Sequence, residues 1–520
     1  MPTRPPRRAV ALAVALLALA APAAAAAEDA ATAESVNDAL TGLTADTNAF
    51  FVIFAASLVL FMQAGFACLE IGMSRQKNVG AVAGKIAVNL ALSFLVFWAV
   101  GYALGFGNGG DWVGVFGDRG TDASGAPFAS GLGALFVGAD AASTAKSQLT
   151  LAADLPNSVF FYFQVVFAAV SLAIVWGTTL DRTKFVVYAI FAVTFVGVIY
   201  PTATHWSWGG GWLAERGFLD FAGSTNVHLQ GAMAALAATL LLGPRLGKYG
   251  RDGRARAIPG HSMPLAVVGV LILWLGWMGF NGGSYLAVSG GGGELVGNVL
   301  MNTNLAAAAG IAGAMIGSAV FFRYLDVGVI GNGAIGGLVA ITAGCFFVDS
   351  WAAALIGLVA GFLLVPVIQM LDRVRVDDPV GAIAAHGVSG IWGTLAVGLF
   401  LVQGRSAVHP DAAGLVYGGG AGQLLTQGIG VVAVGAFTFA ASFGVFAAIK
   451  ATIGLRVSDL EETNGLDISE HGQFGYPEAF IDVPGAVPEE FTPPSVRTRH
   501  GSRPGAYAPA PAAQPAGGTP

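Results

Sequence analysis

The chain has 520 residues, 55% of them hydrophobic and only 11% charged, with a formal net charge of −6. Soluble globular chains carry about 25% charged residues, so a cytosolic enzyme, a disordered regulator and a nucleic-acid binder are excluded. Repeated apolar stretches of about 18 residues or more point instead to one polytopic, all-α membrane protein. Its two cysteines, Cys68 and Cys345, both lie inside apolar runs, which leaves no disulfide framework and no zinc-type cluster and makes packing their expected role.

At the N-terminus Arg4, Arg7 and Arg8 precede a short Ala/Leu/Val core and an alanine-rich end, the grammar of a signal peptide. Residues 1–27 are therefore expected to be removed; a short first membrane helix is the competing interpretation. Residues 28–47 form a polar segment outside the cytoplasm. From 48 to 452 the chain holds eleven runs able to cross about 30 Å of hydrocarbon. They lie near 48–70, 84–106, 156–179, 184–203, 224–243, 263–282, 299–322, 329–348, 351–371, 380–403 and 424–452. An odd number of spans from an outside start puts the C-terminus inside, at the cytoplasmic face of the cell membrane. Loop charge agrees through the positive-inside rule. Lys85, Arg182, Arg245, Lys248, Arg251, Arg254, Arg256 and further basic residues are assigned inside, against Arg119, Lys146, Arg216 and Arg405 outside. The outer loop of about 108–155 is a cap or a linker. A polar, acidic tail follows over 453–482, and residues 483–520 are too rich in Pro and Ala to fold.

Met62-Gln63-Ala64-Gly65-Phe66 in the first span is matched by Trp277-Met278-Gly279-Phe280-Asn281 in the sixth. Val227-His228-Leu229-Gln230-Gly231 in the fifth is matched by Ala385-His386-Gly387-Val388-Ser389-Gly390 in the tenth. This predicts a 5+5 repeat, inverted because each half has an odd number of spans, with one extra helix. His228 and His386 are then the histidines within spans, expected to meet at the repeat interface and line a pore. Neutral imidazole has one N–H donor and one bare nitrogen, so a facing pair shares a proton and still offers one donor and one acceptor to a small, proton-exchanging molecule. A bis-histidine haem site is the rival chemistry, without an accompanying pocket signature.

In His205-Trp206-Ser207-Trp208-Gly209-Gly210-Gly211-Trp212, just outside the fourth span, the tryptophans read either as interfacial belt residues or as a ring aimed at a pore mouth. Phe163, Phe167 and Phe280 are candidates for its walls, or plain core. Asp220 precedes the fifth span as a helix cap. Gly331-Asn332-Gly333-Ala334-Ile335-Gly336 matches a dinucleotide fingerprint in spacing but opens a membrane span without a βαβ unit, so small-residue packing explains it, as it does Gly313/Gly317 and Gly357/Gly361.

The runs HWSWGGGWLAERGFLDFAGSTNVH, GWMGFNGGS, VDDPVGAIAAHGVSG and GLDISEHG, with GFACLEIGMSRQKN after the first span, resemble the ammonium transporter family (Amt/Mep/Rh), and its bacterial Amt branch closely, from about Phe50 to Glu478. The resemblance implies eleven transmembrane helices in a lipid bilayer, a homotrimer with one pore per subunit and conduction of ammonium or ammonia, with no enzymatic activity, cofactor, metal or nucleic acid. Residue by residue, Trp208, Ser284 and Phe163 resemble the outer recruitment site, Phe167 and Phe280 the stacked gate, His228 and His386 the twin-histidine pore, and Asp220 a structural support. The tail near Gly465 to Gly472 resembles the segment that couples subunits and meets a PII-type signalling protein. Two positions depart from the pattern. Gly381 stands where some relatives have an acid, which counts against a second pore-side carboxylate, and Asn226 stands where an aliphatic residue is expected. Ammonium uptake is the function implied; a sensor acting through the tail is the alternative, ahead of a water or urea channel.

Overall fold

The computed structural model describes residues 7–107, 110–114, 135–136 and 155–477, with side chains from residue 34 onward. Most of the 108–155 loop and all of the 483–520 tail lie outside the described residues. Where it is described, the chain is helical, and its extended pairing is limited to two isolated bridges, Thr183 with Arg456 and Tyr249 with Ala255. The long elements are α1 Arg7–Met73, α2 Gln76–Phe106, α3 Asn157–Gly177, α4 Phe185–His205, α5 Ser224–Leu242, α6 Met263–Gly283, α7 Gly292–Phe321, α8 Val327–Thr342, α9 Ser350–Arg373, α10 Ile383–Phe400 and α11 Gly422–Thr452.

Ten of these are long and apolar enough to cross a membrane, α1 through its part Glu34–Met73. The exception is α8. A span was expected over 329–348, but the helix has 16 residues, about 24 Å at 1.5 Å per residue. Turns follow it, and their polar groups find partners inside the protein. Asn302 donates to the carbonyls of Cys345 and Val348 at 2.9 and 3.0 Å, and the Ala343 N–H donates to Ser224 Oγ at 2.7 Å. Irregular backbone at membrane depth is tolerated on that condition.

With 75 glycines in the chain, helix axes approach closely. The most extensive pairings are α7 with α9 and α1 with α6. Gly313, Gly357 and Gly361 each face backbone of the opposing helix: a Cβ on Gly361 would strike the Gly310 carbonyl, and one on Gly357 the Ala306 carbonyl. Gly333 of the false fingerprint likewise sits against Gly310. Van der Waals contact, rather than expulsion of water, holds such surfaces together in lipid. Cys345 is buried and Cys68 half-buried, and both are free thiols.

At one end of the bundle a charged network fixes the tail, whose two short helices are α12 Asp459–Asn464 and α13 Leu466–His471. Arg245 forks onto Asp377, with Nε–Oδ2 2.9 Å and Nη2–Oδ1 3.0 Å. Burial disfavours charge on Asp377, yet these bonds hold its carboxyl down to about 2. The buried Glu462 of α12 meets Arg456 at 2.5 Å and Arg75 at 3.5 Å, and accepts from the Leu246 N–H at 2.7 Å. Asp467 of α13 accepts the N–H groups of Gly80 and Ala81 at the start of α2.

Gly361→Leu is expected to lower the thermal midpoint of the detergent-solubilised protein by several degrees, since overpacking costs about 1–3 kcal/mol; Gly444→Leu, where a Cβ meets nothing within 4 Å, should leave it unchanged. Glu462→Ala removes the carboxylate partner of Arg456 while Arg75 keeps Asp181, and trypsin cleavage after Arg456 should accelerate about tenfold or more, read by gel against the unaltered protein.

Candidate functional site

The histidines are placed by a local device that occurs twice. Ahead of α5, the Asp220 carboxylate accepts the N–H groups of Gly223, Thr225 and Asn226 at 3.2, 3.0 and 2.8 Å, and Gly223 takes a left-handed φ of 111° to let the chain turn. Ahead of α10, Asp378 accepts from Ala382 and Ile383 at 3.1 and 2.7 Å, and Gly381 has φ 73°. Both helices then open in a π-helical stretch, Ser224–Leu229 and Ile383–Val388, each carrying its histidine. Burial pushes the Asp220 carboxyl up to about 6, against the pull of the backbone N–H groups.

The repeated spacing is Asp-x2-Gly-x4-His, 220–223–228 and 378–381–386. Sequence reasoning missed Asp378, although this spacing was the available signal. The absence of an acid at Gly381 therefore does not remove a second carboxylate; it lies three residues earlier, on the turn. Asn226 is buried and turned away from the rings, exchanging hydrogen bonds with Ser207 Oγ at 2.7 and 2.9 Å.

α5 and α10 meet closely because Gly390 leaves room for the Ser224 carbonyl, and Thr225 and Thr394 share a 2.7 Å hydrogen bond. The two imidazoles meet edge to edge through their Nδ1 atoms. Their centroids are 5.2 Å apart at 26°, and Nδ1 of His386 lies 3.2 Å from Nδ1 of His228. With one Nδ1 donating to the other, the outward Nε2 atoms are left as one donor and one acceptor. Nε2 of His228 is buried without a hydrogen-bond partner. His228 also packs against Trp277 at 5.2 Å and Phe280 at 5.4 Å, two rings that touch each other at 5.8 Å.

Beyond Phe280 the aromatic rings continue. Phe167 stacks on Phe280 at 4.1 Å and 27°, and Phe163 lies 4.6 Å from Phe167. They close the floor of a cavity of about 40 Å³ lined by Phe163, Phe167, Trp208, Asp220 and Ser284. Trp208 is fixed by its Nε1–H donating to the Asp220 carbonyl at 2.8 Å, and Ser284 Oγ–H donates to the Phe280 carbonyl at 2.8 Å, which leaves the serine oxygen's lone pairs free to accept. Ser406, Ala407 and Val408 also line this cavity; their loop carries no composition or spacing signal. Rings that can face a cation and a hydroxyl oxygen that can accept an N–H suit a small cation of ammonium type.

On the other side of the histidine pair a cavity of about 10 Å³ is lined by His386, Glu70, Asn332, Phe66 and Val380. Glu70 was overlooked because it ends an expected span. Its partner Lys85, counted among the inside charges at the start of the expected span 84–106, is buried well within α2, with Nζ 2.9 Å from Glu70 Oε2, because the helix already begins at Gln76. Among the described residues no cluster of His, Cys, Asp or Glu has the geometry to hold a metal ion.

The model of the Ammonium Transporter Family matches residues 49–476. The chain is 42% identical to "Ammonium transporter Amt2" of Archaeoglobus fulgidus over 82% of this chain and 87% of that protein. It is 37% identical to a putative ammonium transporter of Synechocystis sp. over 85% and 92%. Among solved structures it resembles one titled "Sensor Amt Protein", with TM-score 0.73, 34% identity and coverage of 83% of this chain and 100% of that one. It also resembles Mep2 of Saccharomyces cerevisiae, with TM-score 0.70, 27% identity and coverage of 84% and 94%. The chain belongs to the ammonium transporter family.

Proposed function

We propose that this protein takes up ammonium across the cell membrane, separating the nitrogen from its proton at the aromatic gate and passing ammonia along His228 and His386. The observation that carries this reading is the buried imidazole pair, 3.2 Å apart, lying between two cavities and behind a stacked pair of phenylalanines. Desolvating a small cation costs of order 20 kcal/mol in the idealised limit, and a cation–π contact returns about 0.5–2 kcal/mol. An intact ammonium ion would therefore stall at the gate. At the Trp208, Phe163 and Ser284 site the cation is gathered; there one N–H bond breaks, the proton passes to water or to the imidazole pair, and neutral ammonia enters. Within the pair, ammonia donates to a bare ring nitrogen and accepts from an N–H, which offsets its own loss of water.

In this reading Trp208 faces outside and the tail lies in the cytoplasm, with eleven spans when α8 is counted, residues 1–27 cleaved and a homotrimer in the bilayer. The exposed apolar side chains of α7, among them Met301, Leu305, Met315 and Ile316, offer surface for lipid or a second subunit. A second reading, ammonium sensing, draws support from the tail's buried anchors Glu462 and Asp467 and from the neighbour titled as a sensor; there the tail would report to a PII-type protein, and ligand-dependent release of that partner without flux would favour it.

In proteoliposomes, His228→Ala with His386→Ala is expected to cut selective methylammonium flux at least about a hundredfold, or to convert it into cation leak recorded as current; undiminished and equally selective flux would remove the histidines from the mechanism. Trp208→Leu should raise the half-saturating concentration at the outer face about 2–30-fold, the equivalent of the cation–π energy, with maximal flux less affected.

A further inference from the structure

We propose that Glu70 forms a second, inner site for an ammonium-type cation, held in reserve by the side-chain ammonium of Lys85. This rests on the conduction reading above. Glu70 and Lys85 are 2% and 1% exposed at the side chain, and a buried ion pair contributes little net stability, so its presence at the end of a pore asks for another reason. Lys85 Nζ sits 2.9 Å from Glu70 Oε2, donates to the Trp176 carbonyl at 3.1 Å, and lies 5.2 Å from the centroid of the Tyr188 ring. A carboxylate, a carbonyl and a ring face are the partners a free ammonium ion would choose. Lysine supplies the same head group on a tether.

Glu70 borders the roughly 10 Å³ cavity beneath His386. That cavity is one small molecule wide. Gly177 and Val380 also line it, and a Cβ placed on Gly177 would lie 3.8 Å from Glu70 Oε1. Lys85 borders a second cavity with Asp181, Leu466, Glu470 and His471, where the tail packs. The pair therefore bridges the end of the pore and the tail. Ammonia leaving His386 takes a proton from Lys85: one lysine N–H bond breaks and one ammonium N–H bond forms. Ammonium replaces the lysine cation beside Glu70, so the count of buried charges is unchanged. The neutral amine then takes a proton from hydronium on the tail side as ammonium departs, one proton for each ammonium released.

The test uses the full-length protein in right-side-out and inside-out membrane vesicles, with methylammonium as probe and thermal midpoints measured in parallel. Lys85→Arg keeps the ion pair but cannot release a proton; Glu70→Gln with Lys85→Met removes both charges together and strands neither. In both variants the half-saturating concentration at the tail-side face should rise about tenfold or more, with that at the Trp208 side unchanged. The proposal is overturned if both variants match the unaltered protein on both faces. It is equally overturned if Lys85→Arg restores full behaviour, or if both faces lose activity together with a lowered thermal midpoint, since either marks a structural pair. An unaltered protein that carries no methylammonium would defeat the conduction reading, and the inner site with it.

Discussion

The cost of placing charge in a low-dielectric interior governs this molecule. It explains why the centre of the bundle holds two imidazoles, which can stay neutral and still hydrogen-bond, where a carboxylate or an ammonium would need a counter-ion. It also explains the surrounding economy. Asp220 is buried but engaged by several N–H groups of its own turn, Asn226 and Ser207 satisfy one another, and Glu70 has Lys85. His228 Nε2 is the exception, buried without a hydrogen-bond partner.

The helical skeleton was legible because hydrocarbon thickness imposes a length that composition reveals directly. The imidazole pair was legible because histidines in apolar runs are few and these two stood in matching segments. What escaped notice were side chains at the margins of those runs. Glu70 and Lys85 looked like span ends, since hydropathy measures a window and does not register that α2 begins at Gln76, ahead of its apolar run. Asp378 was hidden beside Asp377, whose bond to Arg245 serves the tail network. The shortness of α8 could not be read at all: Ala343 to Val348 is as apolar as a helix, and only the tertiary partners Asn302 and Ser224 make its turns tolerable.

The tail is tied into the transport helices by its buried acids. Asp467 binds the first turn of α2, and Asn78 joins Asp181 to the Leu466 N–H. Seven residues beyond Asn78 on α2 stands Lys85. Displacing α13 would therefore act on the start of the helix that carries it, a contiguous physical link of the kind coupling requires.

The duplicated Asp-Gly-His turn gives the histidine pair like supports, one at the start of each helix. On the proposed conduction reading, a passage centred on that pair has no intrinsic sense of flow at its middle. Any rectification must then arise at its unlike mouths, an aromatic hydroxyl-lined basin at one end and a carboxylate guarded by a lysine at the other.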